Sequence, residues 1–210
     1  LVSGQWIDRG QFGIEPLTWD FRELTEDERE ELLRGPQSLR EKQSTDYDYI
    51  VKTVSGLSDP RLRSLCLRFL EVYKERFLRT AAARTYHHAR RGGLVEHVAQ
   101  MMRSAVALSG VYTGINADLL VSGVLFHDCG KLWENSYHKS GFIMPHREVA
   151  ELIGHIPLGI ELVNKLWREI GDEQDAQAWE SFTPKTDEVR LHLLHLIASH
   201  HGTHEFGSPV

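Results

Sequence analysis

Cysteine is scarce: the 210 residues include two, Cys66 and Cys129. That is too few for a disulfide framework and fits a reducing compartment such as the cytoplasm. No apolar run approaches the roughly 18 residues needed to cross a bilayer; the best, Leu119–Phe126, is interrupted by Ser122 and Gly123. No membrane partner is expected. Leu1–Trp6 contains no basic stretch followed by an apolar one, so no signal peptide is read there. Positive charge is not in surplus either. Lys and Arg number 24 against 30 Asp and Glu, a net charge of −6, which argues against a surface coated in cations for duplex nucleic acid. Strand-like alternation is nearly absent, and neither a repeat nor a low-complexity segment is visible. Histidine is missing from the first 86 residues although the chain has 12, all between His87 and His204.

What is present indicates one large domain with an appendage. With 41 % apolar and 26 % charged residues, a chain of this length can bury about 70 % of its unfolded surface. Residues 1–44 read as an irregular N-terminal extension, a remnant of a preceding domain, with Trp6, Phe12, Trp19 and Phe21 spaced by Gly and Pro. It ends in one short helix, signalled by the capping-box pair Thr25 and Glu28 and stopped by Gly35-Pro36. Residues 45–210 read as an all-α bundle. Asp59-Pro60 opens a helix with Leu62, Leu65, Phe69, Tyr73 and Phe77 on one face. Leu94, Val98, Met101, Ala105 and Leu108 keep a 3.6-residue period up to Gly110. A buried helix follows from Ala117 to Asp128, with Leu120, Val124 and His127 aligned, and then a polar stretch from Glu134 to Pro145 of lid-like length. Pro157 suits the first turn of another helix, and Glu188–His200 makes the last, with Leu193, Leu196, Ile197 and His200 facing inward.

Charge is unevenly placed. Between Lys74 and Arg91 stand six basic residues against one acid, Glu75, which is either a solvated helix face or an anion-binding strip.

His97 falls at the edge of the buried stripe of its helix, and His127-Asp128 and His200-His201 close the inward ends of theirs. His155 lies just before Pro157. Taken singly, each could be a hydrogen-bonded core residue. Five imidazoles and a carboxylate buried together would cost several kcal/mol per unpaired group, a cost that metal binding removes. Imidazole with carboxylate suits Mn, Fe, Co, Ni or Zn, and helical bundles build such sites from facing helices. The adjacent His127-Asp128 supplies what two ions need: an imidazole for one and a carboxylate able to bridge to the other.

The order His97, His127-Asp128 with Gly130-Lys131, Gly154-His155 and His200-His201-Gly202 resembles the HD-domain superfamily of metal-dependent phosphohydrolases. The segments Tyr86–Ala89, Gly92–His97, His127–Lys131, Leu152–Ile156, Ser199–Gly202 and Phe206–Pro209 are similar to those of bacterial 3′→5′ exoribonucleases of the YhaM type, over roughly residues 69–210. The resemblance implies an HD-type helical bundle. It also implies two divalent ions, the first on His97, His127 and Asp128, the second on Asp128, His155 and His200 with His201. Lys131 is implied beside the site, on substrate phosphate. His87 and His88 either contact phosphate or are solvent-exposed loop histidines, while His138, His146, His192, His195 and His204 are assigned structural or surface roles.

Two departures bear on completeness. Such enzymes carry an N-terminal oligonucleotide-binding barrel, of which only Leu1–Phe21 could be a remnant. They also continue past the Gly-Ser-Pro segment into a helix with a further Asp for the first ion, so the chain is expected to be a fragment, with Glu205 as an in-chain substitute ligand.

The expected activity is that of a divalent-metal phosphodiesterase, foremost a 3′→5′ exonuclease on single-stranded RNA or DNA. Asp128 would bridge the ions, and Lys131 with Arg90 or Arg91 would neutralise phosphate. The alternatives are a nucleotide phosphohydrolase, a nucleotide-binding regulatory module with poor turnover, and a di-iron oxygenase on the same scaffold.

Overall fold

The computed structural model describes residues 2–8, 12–19, 22–85, 88–145, 147–173, 179–202 and 204. Its contacts divide the chain into two units, Leu1–Gln37 and Ser38–Val210. The first unit departs from the expected irregular extension. Strands β1 (Val2–Asp8) and β2 (Phe12–Trp19) pair as an antiparallel hairpin. A register shift at Ser3/Gly4, where Gly4 faces Pro16 and Ser3 faces Thr18, interrupts the two-residue period that would have revealed it. Helix α1 (Glu26–Arg34) follows with the expected capping box: the Thr25 hydroxyl accepts from Glu28 N, and the Glu28 carboxylate accepts from Thr25 N. The Arg22 guanidinium grips the same carboxylate at 2.5 and 2.7 Å.

The second unit is all helix apart from one isolated bridge, among the described residues. It begins with α2 (Gln37–Ser55), a helix the sequence pattern did not announce. Only Asp46, Ile50 and Val54 of α2 are buried, too few for a clear apolar stripe. Helix α3 (Pro60–Phe77) starts at Asp59, whose carboxylate accepts from Arg61 N and Leu62 N. Leu62, Leu65, Phe69 and Phe77 are buried as expected, with Cys66 and Leu70 beside them. The Phe69 ring packs edge-on against Phe77 and Phe126 at 5.7 and 5.2 Å.

Helix α4 (Gly93–Ser109) buries Leu94, Val95, Val98, Ala99, Met102 and Ala105, whereas Met101 and Leu108 are exposed. The buried stripe is thus rotated by about one residue from the expected one, because Val95, Ala99 and Met102 fill the core. Helix α5 (Ala117–Phe126) is capped by Asn116 and packs on α4 and α3. The short α6 (Lys131–Glu134) and α7 (Glu148–Ile153) precede α8 (His155–Glu173), and α9 (Thr186–Ser199) packs on α8 and α5. On α9 Val189, Leu193 and Ile197 are buried, while Leu196 is 37 % exposed.

Two close approaches set the positions that matter. A Cβ on Gly123 would lie 2.8 Å from Leu196 Cδ1, the movable end of a side chain, where α5 packs on α9. A Cβ on Gly130 would lie 1.8 Å from the His155 carbonyl oxygen and 2.8 Å from Gly159 N. Only glycine lets the start of α8 lie against the 127–131 turn. The segment after α3 runs alongside the one after α6: Thr80 bridges Ser136, and Ala81 N donates to Asn135 O at 3.0 Å.

Candidate metal centre

Helix ends build the site. A helix leaves its last carbonyls without intrahelical donors, and here two of them are met by imidazoles. His127, closing α5, places Nδ1 2.8 Å from Val124 O; His200, closing α9, places Nδ1 2.7 Å from Ile197 O. With Nδ1–H donated to a carbonyl, each ring presents an Nε2 lone pair away from its helix. His155, the first residue of α8 after the positive-φ Gly154, is oriented by a carboxylate instead, its Nδ1 lying 3.1 Å from Glu134 Oε2.

These Nε2 atoms converge on Asp128, which is 3 % exposed. Its two oxygens face different pairs. Oδ2 lies 3.2 Å from His127 Nε2 and 3.5 Å from His97 Nε2; Oδ1 lies 3.6 Å from both His155 Nε2 and His200 Nε2. His97 and His127 approach to 3.1 Å through their Nε2 atoms. The ring of His201, exposed, lies 4.4 Å from that of His200 and 5.1 Å from that of His155. Two triads result, His97/His127/Asp128 and His155/His200/His201, each offering ligand atoms within 4.8 Å of one another.

The electrostatics suit a cation. Burial alone would raise the Asp128 pKa, but His127, His200 and Lys131 hold its carboxyl far below the usual range. Burial, followed by the neighbouring charge of His127, brings the His97 imidazole down to about 4, so it is neutral at pH 7. The close His155 imidazole lowers the Glu134 pKa. Asp128 Oδ1, His155 Nε2 and His200 Nε2 are buried without a hydrogen-bond partner. Three such atoms gathered at one point would be costly left as they are. A divalent cation among them would satisfy all three, and imidazole with carboxylate is a donor set for Mn, Fe, Co, Ni or Zn.

The remaining residues singled out from sequence divide. Lys131 Nζ donates to Asp128 Oδ2 at 2.8 Å and to Ala82 O at 2.7 Å, at the centre of the site. His88, at φ 60°, has its ring 5.9 Å from that of His97 and its Nδ1 3.3 Å from Glu96. Arg90 also pairs with Glu96, and Arg91 donates to the carbonyls of His138 and Lys139 at 3.0 and 3.2 Å. Arg90 is thus paired with an acid, whereas Arg91 is held by backbone carbonyls that leave its charge uncompensated. Tyr86, His87, His146, Glu205 and Phe206–Pro209 lie outside the described residues. Sequence reasoning missed Glu134 and Glu96. The spacing Asp128, Lys131, Glu134 places three charged groups on one helical face, a signal that would have found the first. Cys129 is buried, with a thiol that burial pushes well above its usual pKa, and makes no ligand.

Comparison with known proteins gives proteins named 3′-5′ exoribonuclease YhaM. Those of Listeria welshimeri, Oceanobacillus iheyensis and a Geobacillus strain are 33 %, 31 % and 31 % identical to this chain over 162, 162 and 160 residues. The matches cover 76–77 % of this chain and 44–47 % of the relatives, so the chain spans about half the length of the curated proteins it matches. The resemblance carried by the histidine motifs is borne out. No family model and no solved structure matches.

Proposed function

We propose that this relative of the YhaM-named exoribonucleases is a divalent-metal-dependent phosphodiesterase that removes nucleotides from the 3′ end of single-stranded RNA or DNA. The observation that carries the reading is the division of Asp128, one oxygen toward His97 and His127, the other toward His155 and His200. In the proposal His97, His127 and Asp128 hold one ion, and Asp128, His155 and His200 with His201 hold the second. Bound there, the ions supply an activated water and neutralise charge on the phosphoryl oxygens.

The chain's own groups do the rest. Val124 O, Ile197 O and Glu134 fix the Nδ1 sides of His127, His200 and His155, so their Nε2 lone pairs stay aimed at the ligand positions. An ammonium has three donors. Lys131 uses two, on Asp128 and Ala82 O, and its third is assigned to a non-bridging oxygen of the substrate phosphate. His88, held by Glu96 beside His97, is placed at the edge where the terminal nucleotide enters.

The test is incubation with Mn²⁺ and 5′-labelled single-stranded RNA. A ladder shortening from the 3′ end, abolished by chelator, is expected. Intact RNA together with phosphate release from nucleotides would replace the exonuclease with a nucleotide phosphohydrolase.

A further inference from the structure

The basic run Lys74–Arg91 is not accounted for by the metal centre. Some of its charges are neutralised: Arg84 lies 3.4 Å from Glu151, and Arg90 pairs with Glu96. Arg76, Arg79 and Arg91 differ. Among the described residues none of them has a carboxylate within ion-pair distance, and the same holds for Arg147.

These four lie together. Arg79 Nε donates to Tyr137 O at 3.2 Å, while Arg91 holds the next two carbonyls of the same loop. The Arg76 guanidinium lies over the Trp133 ring at 5.5 Å. Burial first, then the charges of Arg147 and Arg79, lower the Arg76 pKa; burial first, then Arg79, lowers that of Arg91. Glu75 acts on Arg91 in the opposite sense but pairs with none of the four, and like charges in such excess repel, which an anion relieves.

The cluster is linked to the candidate centre through a short stretch of chain. Lys131, on Asp128, donates to Ala82 O, and only Thr80 and Ala81 separate Ala82 from Arg79, a Cα–Cα span of at most about 11 Å. The loop held by Arg79 and Arg91 carries Phe142, 51 % exposed, with the basic Lys139 also exposed. Cations strung along a loop beside an open aromatic ring match a strand of alternating phosphates and bases, whereas a lone phosphate would need neither the spread nor the ring.

We propose that Arg76, Arg79, Arg91 and Arg147 form a subsite for the phosphate backbone of a single-stranded polynucleotide whose 3′ end lies at Asp128, with Phe142 as a stacking surface. This rests on the phosphodiesterase reading and extends it from the cleaved bond to the strand behind it. Contacts of this type are independent of base sequence and sensitive to salt.

Arg79 and Arg91 also hold backbone, so the test uses the double variant Arg76→Gln, Arg147→Gln in the full chain. Binding of a labelled single-stranded RNA 20-mer is measured by anisotropy in chelator at several salt concentrations, and hydrolysis of bis(p-nitrophenyl) phosphate is measured with Mn²⁺. The expected result is RNA binding weakened about tenfold at low salt and a salt slope reduced by about 0.7 per lost contact, with hydrolysis of the small ester unchanged. Unchanged RNA affinity and slope would overturn the subsite. So would an equal loss on the small ester, or displacement of RNA by inorganic phosphate at concentrations close to those of RNA itself. Failure of the wild type to shorten RNA would sink the exonuclease reading, and the binding measurement would still decide the subsite.

Discussion

Asp128 divides its oxygens between two imidazole pairs, and that division makes it harder to replace than any single histidine. Asparagine keeps the shape but offers one weak acceptor oxygen and a donor amide. The Asp128→Asn protein is expected to remain folded, because the His97 imidazole facing it is neutral at pH 7 and Lys131 retains Ala82 O. It should lose bound metal and activity together. Metal content by elemental analysis and far-UV circular dichroism check this, and full activity in that variant would refute the two-ion reading. Glu134 acts one step further out. It orients His155 through Nδ1, and loss of such a partner lowers metal affinity about 10–100-fold. Glu134→Gln should therefore weaken ion binding by that factor in a competition titration, while keeping the fold. An unaltered affinity would make the Glu134–His155 contact incidental.

At the scale of elements, the site depends on how closely α8 can approach the turn after α5. Gly130→Ala would drive a Cβ into the His155 carbonyl and Gly159 N, both backbone atoms that cannot rotate away. Overpacking of this kind costs about 1–3 kcal/mol, or roughly 2–12 °C in Tm for a chain of this size. Gly114→Ala, with nothing within 4 Å of its Cβ, should leave Tm within about 1 °C. The comparison by thermal melting separates a close approach from a general intolerance of alanine. Much of this arrangement is legible in sequence: Asp59-Pro60, Thr25 with Glu28 and the periodicity of α3 each state a local rule that the structure obeys. The hairpin was not, because the bulge opposite Pro16 breaks its alternation. Nor was α2, whose interior position Asp46 is polar and is satisfied by Lys42 and by the distant Arg103 at 3.0 and 2.8 Å. His97, His127 and His200 stood out by helical phase, whereas His155 stood out by its place before Pro157 and His201, beside His200, is exposed. The partners of the histidine Nδ1 atoms were not legible, since two are backbone carbonyls and carry no side-chain signature.

For the molecule as a whole, the gathered histidines and Asp128 set a stability balance. Helices α4, α5, α8 and α9 meet where four imidazoles surround one ionised carboxylate, three of whose neighbouring polar atoms, Oδ1 included, have no hydrogen-bond partner. Gathering such groups opposes folding, and the apolar core around Phe69 and Phe126 must offset it. An ion that binds the folded chain and not the unfolded one reverses the sign of that contribution. At a concentration 100 times its Kd it adds about 2.7 kcal/mol, which corresponds to roughly 5–11 °C in Tm for a chain of this length. Melting the protein in chelator and then in Mn²⁺ should show that rise, reversed when chelator is restored and missing in Asp128→Asn. The variant separates binding at this site from weak adsorption of cations to an acidic protein with a net charge of −6. An equal rise in both proteins would assign the effect to the surface, and no rise in either up to millimolar Mn²⁺ would mean that the gathered histidines do not hold that ion.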